Sequence, residues 1–187
     1  MESDLLYDSL RGIFNWPANR LQTKATYSLG WGGFYKDDHI FKYFLALSTA
    51  ETVPKLMARF DEIGKHGYFG VSMNLMMADT TGNIGYMMLL PTIQRKDRTP
   101  FIGSRVLDGT VSSFDWEGPL PLSANPRSLN PKRGFLTTAN NRQVPDNAAS
   151  DTGAGNVDTP RSVRIDEFFS GIISAGKKIS LDDIRLL

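Results

Sequence analysis

The stretch Met73-Asn-Leu-Met-Met-Ala-Asp-Thr-Thr-Gly-Asn-Ile-Gly-Tyr-Met-Met-Leu-Leu90 decides the fold class. Residues 68–78 are a continuous apolar run, residues 79–83 carry turn chemistry, and Ile84 to Leu90 are a second apolar run closed by Pro91. Two apolar runs of strand length around an Asp/Gly/Asn turn predict an antiparallel β-hairpin at about 68–90 with two largely buried strands. The methionines placed inside then act as core filler, because an unbranched thioether fits irregular gaps. Residues 79–83 lack the alternating oxygen ligands and the terminal Glu of a calcium loop, so the turn reading stands.

On the N-terminal side, residues 25–31 combine aromatic and β-favouring residues ahead of Gly32-Gly33 and predict a short strand. Asp37-Asp38 ahead of Ile40, Phe41, Tyr43, Phe44, Leu45 and Leu47 predict a helix over about 37–47. A second helix is capped at Thr52 or Val53, carries Pro54 in its first turn, buries Leu56, Met57, Phe60 and Ile63, and stops at Gly64. On the C-terminal side, residues 91–133 hold many prolines and glycines and predict an irregular excursion with brief strand pieces. Residues 134–139 predict a short strand ending at Asn140-Asn141, and a long polar loop follows over 142–158. Thr159-Pro160 marks a helix start, with Ile165, Phe168, Phe169, Ile172 and Ile173 at helical spacing and Gly176 at its end. Ser180 caps a last short helix with Asp182 and Asp183 in its first turn. Strands and helices in this order make an α+β class.

Composition narrows the functions. The chain has 187 residues, which suits one domain or a piece of a larger one. Lys+Arg 21 against Asp+Glu 20 leaves a net charge of +1, so no charge excess drives binding to nucleic acid or an anionic membrane. No apolar run is long enough for a transmembrane helix, and the acidic first twenty residues do not read as a signal peptide. With Cys 0, a Cys nucleophile, a disulfide and a Cys-based zinc site are excluded. His39 and His66 are too few for a multi-His metal site and lie far from any nucleophile elbow; His66 reads as a surface residue at a helix end.

One constellation remains. Asn140-Asn141-Arg142 closes a predicted strand, and Arg161 opens a predicted helix. On pattern alone, the asparagines read first as turn residues and Arg161 as decoration of a first turn. The chemical alternative is specific. A fixed Asn amide is a donor for a developing oxyanion, and an Arg, which carries only donors, can orient that amide through its carbonyl oxygen.

Residues 78–86, Ala-Asp-Thr-Thr-Gly-Asn-Ile-Gly-Tyr, resemble the A-D-x-x-G-N-I-G-Y signature of the penicillin amidase (penicillin acylase) family, with Asn74 in its usual place just before. Pro91, Arg95, Trp116-Glu-Gly118, Pro121, Asn130-Pro-Lys-Arg-Gly-Phe135, Asn140-Asn141 and Arg161-Ser-Val-Arg164-Ile165 match the family's later motifs in order. The resemblance runs from about residue 25 to the end. It implies an N-terminal-nucleophile hydrolase with a four-layer αββα sandwich. In that family a Ser released at the start of a β chain attacks an amide carbonyl, with its own α-amine as base. By motif match, Asn140 resembles the oxyanion-holding Asn, and Arg161 the Arg that supports this Asn and the nucleophile's amine. No dissociable cofactor is implied. Calcium-binding members take one carboxylate from an Asp after the Asn pair, where Asp151 stands; a solvated loop Asp is the competing reading.

The sequence also departs from the family. No G-S-N-like nucleophile segment lies upstream of the hairpin, and Gly103-Ser104 lies downstream of it. The expectation is that residues 1–187 are an internal segment of a β chain. The rest of the α and β chains of the precursor would be its partners and a small N-acyl amide the substrate of the whole, without nucleic acid. Full-length relatives are often exported. The alternative expectation is a stand-alone, non-catalytic binding or structural protein derived from the family.

Overall fold

The computed structural model describes residues 6–8, 13–16, 27–30, 38–99, 105–144 and 158–187. Eight strands and four α-helices follow one another in the order β1 (Leu6–Asp8), β2 (Ile13–Trp16), β3 (Tyr27–Gly30), α1 (Ile40–Thr49), α2 (Val53–Gly64), β4 (Met73–Ala78), β5 (Ile84–Leu89), β6 (Ile93–Arg95), β7 (Trp116–Pro119), β8 (Arg127–Leu129), α3 (Pro160–Ser174) and α4 (Leu181–Leu186). The strands form three antiparallel sheets: β1-β2-β3, β4-β5-β8 and β6-β7. The mixed helix and sheet content agrees with the α+β expectation.

The hairpin is the centre. β4 and β5 pair from Met73↔Leu89 to Ala78↔Ile84, and Gly82 closes the turn at φ +90, where a side chain would be strained. One face of the sheet packs against α1 and α2. Tyr43 and Phe60 are 0% exposed there, with their ring centroids 5.1 Å apart, and Met87 and Leu89 complete the contact. Burial pushes the Tyr43 phenol up to about 12, with Asp61 adding, so the hydroxyl stays a neutral donor to the Gly67 carbonyl at 3.3 Å. Gly85 lets α2 come close: a Cβ there would lie 2.5 Å from Val53 Cγ1.

The helix caps follow the sequence. Thr52 caps α2 by accepting from the Lys55 N–H, and Pro54 sits in its first turn. Thr159 and Ser162 form a reciprocal capping box on α3. That helix ends in a Schellman motif, with Gly176 at φ +71 and the Lys177 N–H reaching the Ile172 carbonyl at 3.1 Å. Ser180 and Asp183 cap α4 in the same reciprocal way. His66 is exposed just beyond α2.

Several expectations are corrected. α1 begins at Ile40, because the Asp38 carboxylate sits outside the helix and accepts from the N–H groups of Ile40 and Gly70. β4 begins only at Met73, and only β5 is largely buried, from Gly85 to Leu89; β4 is half-exposed, with Met76 41% exposed. α2 ends at Gly64 as expected, with Lys65 as its right-handed C-cap rather than a left-handed turn. Gly64 is small because a Cβ there would lie 2.8 Å from the Leu122 Cβ. Residues 134–139 run without β-ladder bonds: among the described residues no strand lies alongside to pair with them.

The excursion over 91–126 is pinned by a buried amide. Asn125 donates to the carbonyls of Met88 and Leu90 at 3.0 and 2.8 Å and accepts from the Thr92 hydroxyl at 2.6 Å. All of its near partners lie at the end of β5 or just past it, so a segment poor in regular structure is fixed to the hairpin.

The hairpin turn is tied to α2 by Asp79. Its carboxylate accepts from the Thr81 hydroxyl and N–H, from the Asn83 side chain and N–H, and from the Val53 N–H at the start of α2. These bonds, the Thr81 hydroxyl first, hold the Asp79 carboxyl well below the usual carboxylate range, against partial desolvation. A depressed folded-state value contributes stability that is present above the unfolded value of about 4 and is lost as pH falls through the folded one. Asp79→Asn is therefore expected to unfold at lower denaturant than wild type at pH 7, with the gap narrowing below about pH 4. Urea melts across pH 2–7 check this; a pH-independent gap would remove Asp79 from that role.

Candidate active site

The segment that carries Asn140 leaves the sheet at Asn130. Its Oδ1 accepts from the Ile84 N–H at 2.9 Å, and its Nδ2 donates to the Asn83 Oδ1 at 2.8 Å. Asn130 therefore reads the hairpin turn directly, at a left-handed φ of 47 that Asn tolerates better than most residues. A tight turn over 131–134 follows, closed by the Gly134 N–H on the Pro131 carbonyl at 2.9 Å.

The segment is then laid along α3. Arg133 donates to both Asp166 oxygens at 2.9 and 3.0 Å and to the Phe135 carbonyl at 3.0 Å, and its guanidinium stacks 4.4 Å from the Phe135 ring centroid. The Thr137 hydroxyl donates to Asp166 Oδ1 at 3.0 Å. Phe135 meets Phe169 edge-on at 5.6 Å. These contacts carry the chain to a buried Ala139 and then to Asn140, which is exposed at φ 62.

At this corner the two candidate residues meet. Arg161 Nη2 donates to Asn140 Oδ1 at 2.8 Å and to the Ala139 carbonyl at 3.3 Å. Pro160 takes the first helical position, so Arg161 projects from the first turn of α3 back onto the corner. The Thr159 hydroxyl also donates to the Ala139 carbonyl, at 3.1 Å, and the Ala139 N–H donates to Asn141 Oδ1 at 3.1 Å. Because a guanidinium only donates, it selects the amide oxygen of Asn140. The Asn140 Nδ2 then has no acceptor among the described residues, and Asn140 is exposed.

Asp151 lies outside the described residues. Among the described residues no cluster of three or more His, Asp or Glu could hold a metal ion. Sequence reasoning named Asn141 with Asn140 but gave it no task of its own, and it did not single out Thr159 or the Arg133–Asp166 pair as site residues. Only Thr159 carried a signal, as a helix cap, and a cap pattern says nothing about a second bond made by the same hydroxyl. A cleft of about 400 Å³ is bordered by Tyr86, Ser128, Leu136, Thr137 and Gln143 and takes in none of Ala139, Asn140, Thr159 and Arg161. On its wall the Tyr86 hydroxyl donates to Asn74 Oδ1 at 2.6 Å, and burial pushes that phenol up, so it stays protonated.

The family model for penicillin amidase matches residues 5–187. The chain belongs to the penicillin amidase family. It is 35% identical over 81 residues to the penicillin G acylase of Escherichia coli, a stretch that covers 43% of this chain and 9% of that protein. It is 30% identical over 115 residues to the penicillin acylase 2 proenzyme of Pseudomonas sp. (strain SE83), covering 60% of this chain and 14% of the relative. It is 29% identical over 111 residues to the acyl-homoserine lactone acylase QuiP of Pseudomonas syringae pv. syringae, covering 59% of this chain and 12% of the relative. The fold resembles the thermostable penicillin G acylase from Alcaligenes faecalis with a TM-score of 0.54 at 24% identity, over 77% of this chain and 24% of that one. The matched region thus spans 9 to 14% of the length of these curated relatives.

In this member of the penicillin amidase family, the Asn140 corner lies outside the main buried cluster. Arg161→Ala is expected to cost no more than about 1.5 kcal/mol, the worth of one or two exposed hydrogen bonds. Loss of Asp166 is expected to cost more than loss of Arg161, because it strips partners from both Arg133 and Thr137. Denaturant melts of Arg161→Ala and Asp166→Ala check the order, and the reverse order would show that the corner is held elsewhere.

Proposed function

We propose that this chain supplies the oxyanion-holding part of an amidase that hydrolyses linear amide bonds of N-acyl compounds. In this reading the chain is an internal β-chain segment of a four-layer αββα hydrolase. The nucleophile is an N-terminal Ser on a segment outside the chain, so the chain by itself does not turn over. The Ser hydroxyl attacks the amide carbon, its α-amine takes the proton and later delivers it to the leaving amine, and water releases the acid from the acyl-enzyme. Negative charge gathers on the former carbonyl oxygen. The Asn140 Nδ2 faces that oxygen and donates to it, and Arg161 keeps the amide from turning.

The observation that carries the reading is the 2.8 Å bond from Arg161 to Asn140 Oδ1. It polarises the amide and occupies its carbonyl oxygen, while the Nδ2 donors have no acceptor among the described residues. An oxyanion needs donors that are in place before the charge forms, because reorganisation during the reaction would consume the gain. The acylase activities of the relatives support the substrate class, an acyl group on nitrogen.

The first test is to isolate the native gene product with antibodies to this segment and determine its intact mass and N-terminal residues. A larger product with a chain beginning at Ser is the expected outcome. A 20.8 kDa product beginning at Met1 or Glu2 would overturn the reading in favour of a stand-alone binding protein. In the complete enzyme, Asn140→Ala is expected to lower kcat by roughly 100- to 1,000-fold with the fold intact. Unchanged turnover would remove Asn140 from the oxyanion role.

A further inference from the structure

Resting on that reading of Asn140, we infer that Thr159 is a positioning residue for the oxyanion donor, acting through the Ala139 carbonyl. The Thr159 hydroxyl has two roles in one place. Its oxygen accepts from the Ser162 N–H at 3.1 Å, which caps α3, and its proton goes to the Ala139 carbonyl at 3.1 Å. Capping alone needs only the acceptor. The donated bond ties the helix to the peptide unit immediately before Asn140.

That peptide needs a tie. Asn140 holds φ 62, a left-handed conformation that costs a non-glycine residue on the order of 1 kcal/mol. The 139–140 peptide carries the amide outward only while the corner is kept. Ala139 is buried, and its carbonyl takes two donors, Thr159 and Arg161, while its N–H is taken by Asn141. Arg161 is exposed, and its contact with this carbonyl is long, at 3.3 Å. The shorter bond comes from Thr159, which is half-buried and is anchored again by its own N–H to Ser162 Oγ at 2.9 Å. Ser162 is itself buried, so the anchor is stiff. Arg161 thus sets which way the amide faces, and Thr159 sets where the backbone beneath it lies.

The two roles of the hydroxyl separate by substitution. Thr159→Asp keeps a good cap acceptor for Ser162 and loses the donor. Thr159→Ser keeps both. In the 187-residue chain, the side-chain amide resonances of Asn140 report the corner by NMR without any activity. They are expected to keep their positions in Thr159→Ser and to collapse towards free-amide positions in Thr159→Asp, while the Ser162 N–H stays protected from exchange. In the complete enzyme, Thr159→Asp is expected to lower kcat about tenfold with KM unchanged, and Thr159→Ser to restore it. Wild-type Asn140 resonances in Thr159→Asp would overturn the inference, as would wild-type kcat. If Asn140→Ala leaves kcat unchanged while Thr159→Asp still moves the Asn140 resonances, the oxyanion reading has failed and the positioning has not.

Discussion

The Asp79 carboxylate is the constraint on which the rest of the structure depends. It sits at the hairpin turn, yet one of its oxygens accepts from the Val53 N–H across 26 residues of sequence. A helix start has N–H groups with no partner of their own, and a turn needs acceptors for its inward-facing donors. One carboxylate answers both needs and so fixes α2 against the end of β4. The close approach of Val53 to Gly85 follows from this tie and has no room for a larger residue. The same turn presents Asn83 and Ile84 to Asn130, which starts the segment leading to Asn140. The candidate site is therefore joined to the core through a chain of polar contacts rather than through apolar packing.

That design fits where apolar packing runs out. The buried cluster lies between α1, α2 and the hairpin. Towards the C-terminus, α3 buries only Ser162 fully, and its aromatic stripe is half-covered. Phe41, at 85% exposure on α1, and Met76 on β4 show other apolar surface in the open. With little core beneath them, residues 131–144 are held by Arg133, Asp166, Thr137 and Thr159. Directional bonds of this kind fix a geometry even where they add little net stability. In the proposed reading, a donor that must await a charge needs fixed geometry more than it needs stability.

Much of this was legible in the sequence, and for local reasons. Thr52 and Pro54, Thr159 and Pro160, Ser180 and Asp183, and Gly176 each act within a few residues of where they stand, so their signals survive without tertiary information. The hairpin was legible because its turn and its apolar runs are contiguous. The pairing of Asn140 with Arg161 was legible through the order of family motifs, although the residues alone read first as a turn and a helix decoration. What failed was what depends on neighbours. Residues 134–139 have strand composition, but a strand needs a second strand, and the bonding here goes to side chains from 133, 159 and 161 instead. Gly64 does stop α2, but its closeness to Leu122 was not legible, because that contact is set by a distant segment. Residues 68–72 looked like strand, but Asp38 draws the Gly70 N–H away from a ladder.

The choice of residue types at the corner follows from the same physics. The position of Asn140 demands a side chain that tolerates φ 62, which favours Asn among residues with an amide. It also demands an acceptor and a donor on one rigid plane, so that fixing the first aims the second. Gln has the amide but adds a rotatable bond and a poorer left-handed tolerance; Ser and Thr have one oxygen for both tasks, so a bond to it would not aim the other. The partner must donate and never accept, or the amide could turn over. Arg meets that demand, with one nitrogen, Nη2, donating to both the Asn140 oxygen and the Ala139 carbonyl. Corner, amide and guanidinium therefore constrain one another, and a change at any one of them reorients a donor rather than merely removing a bond.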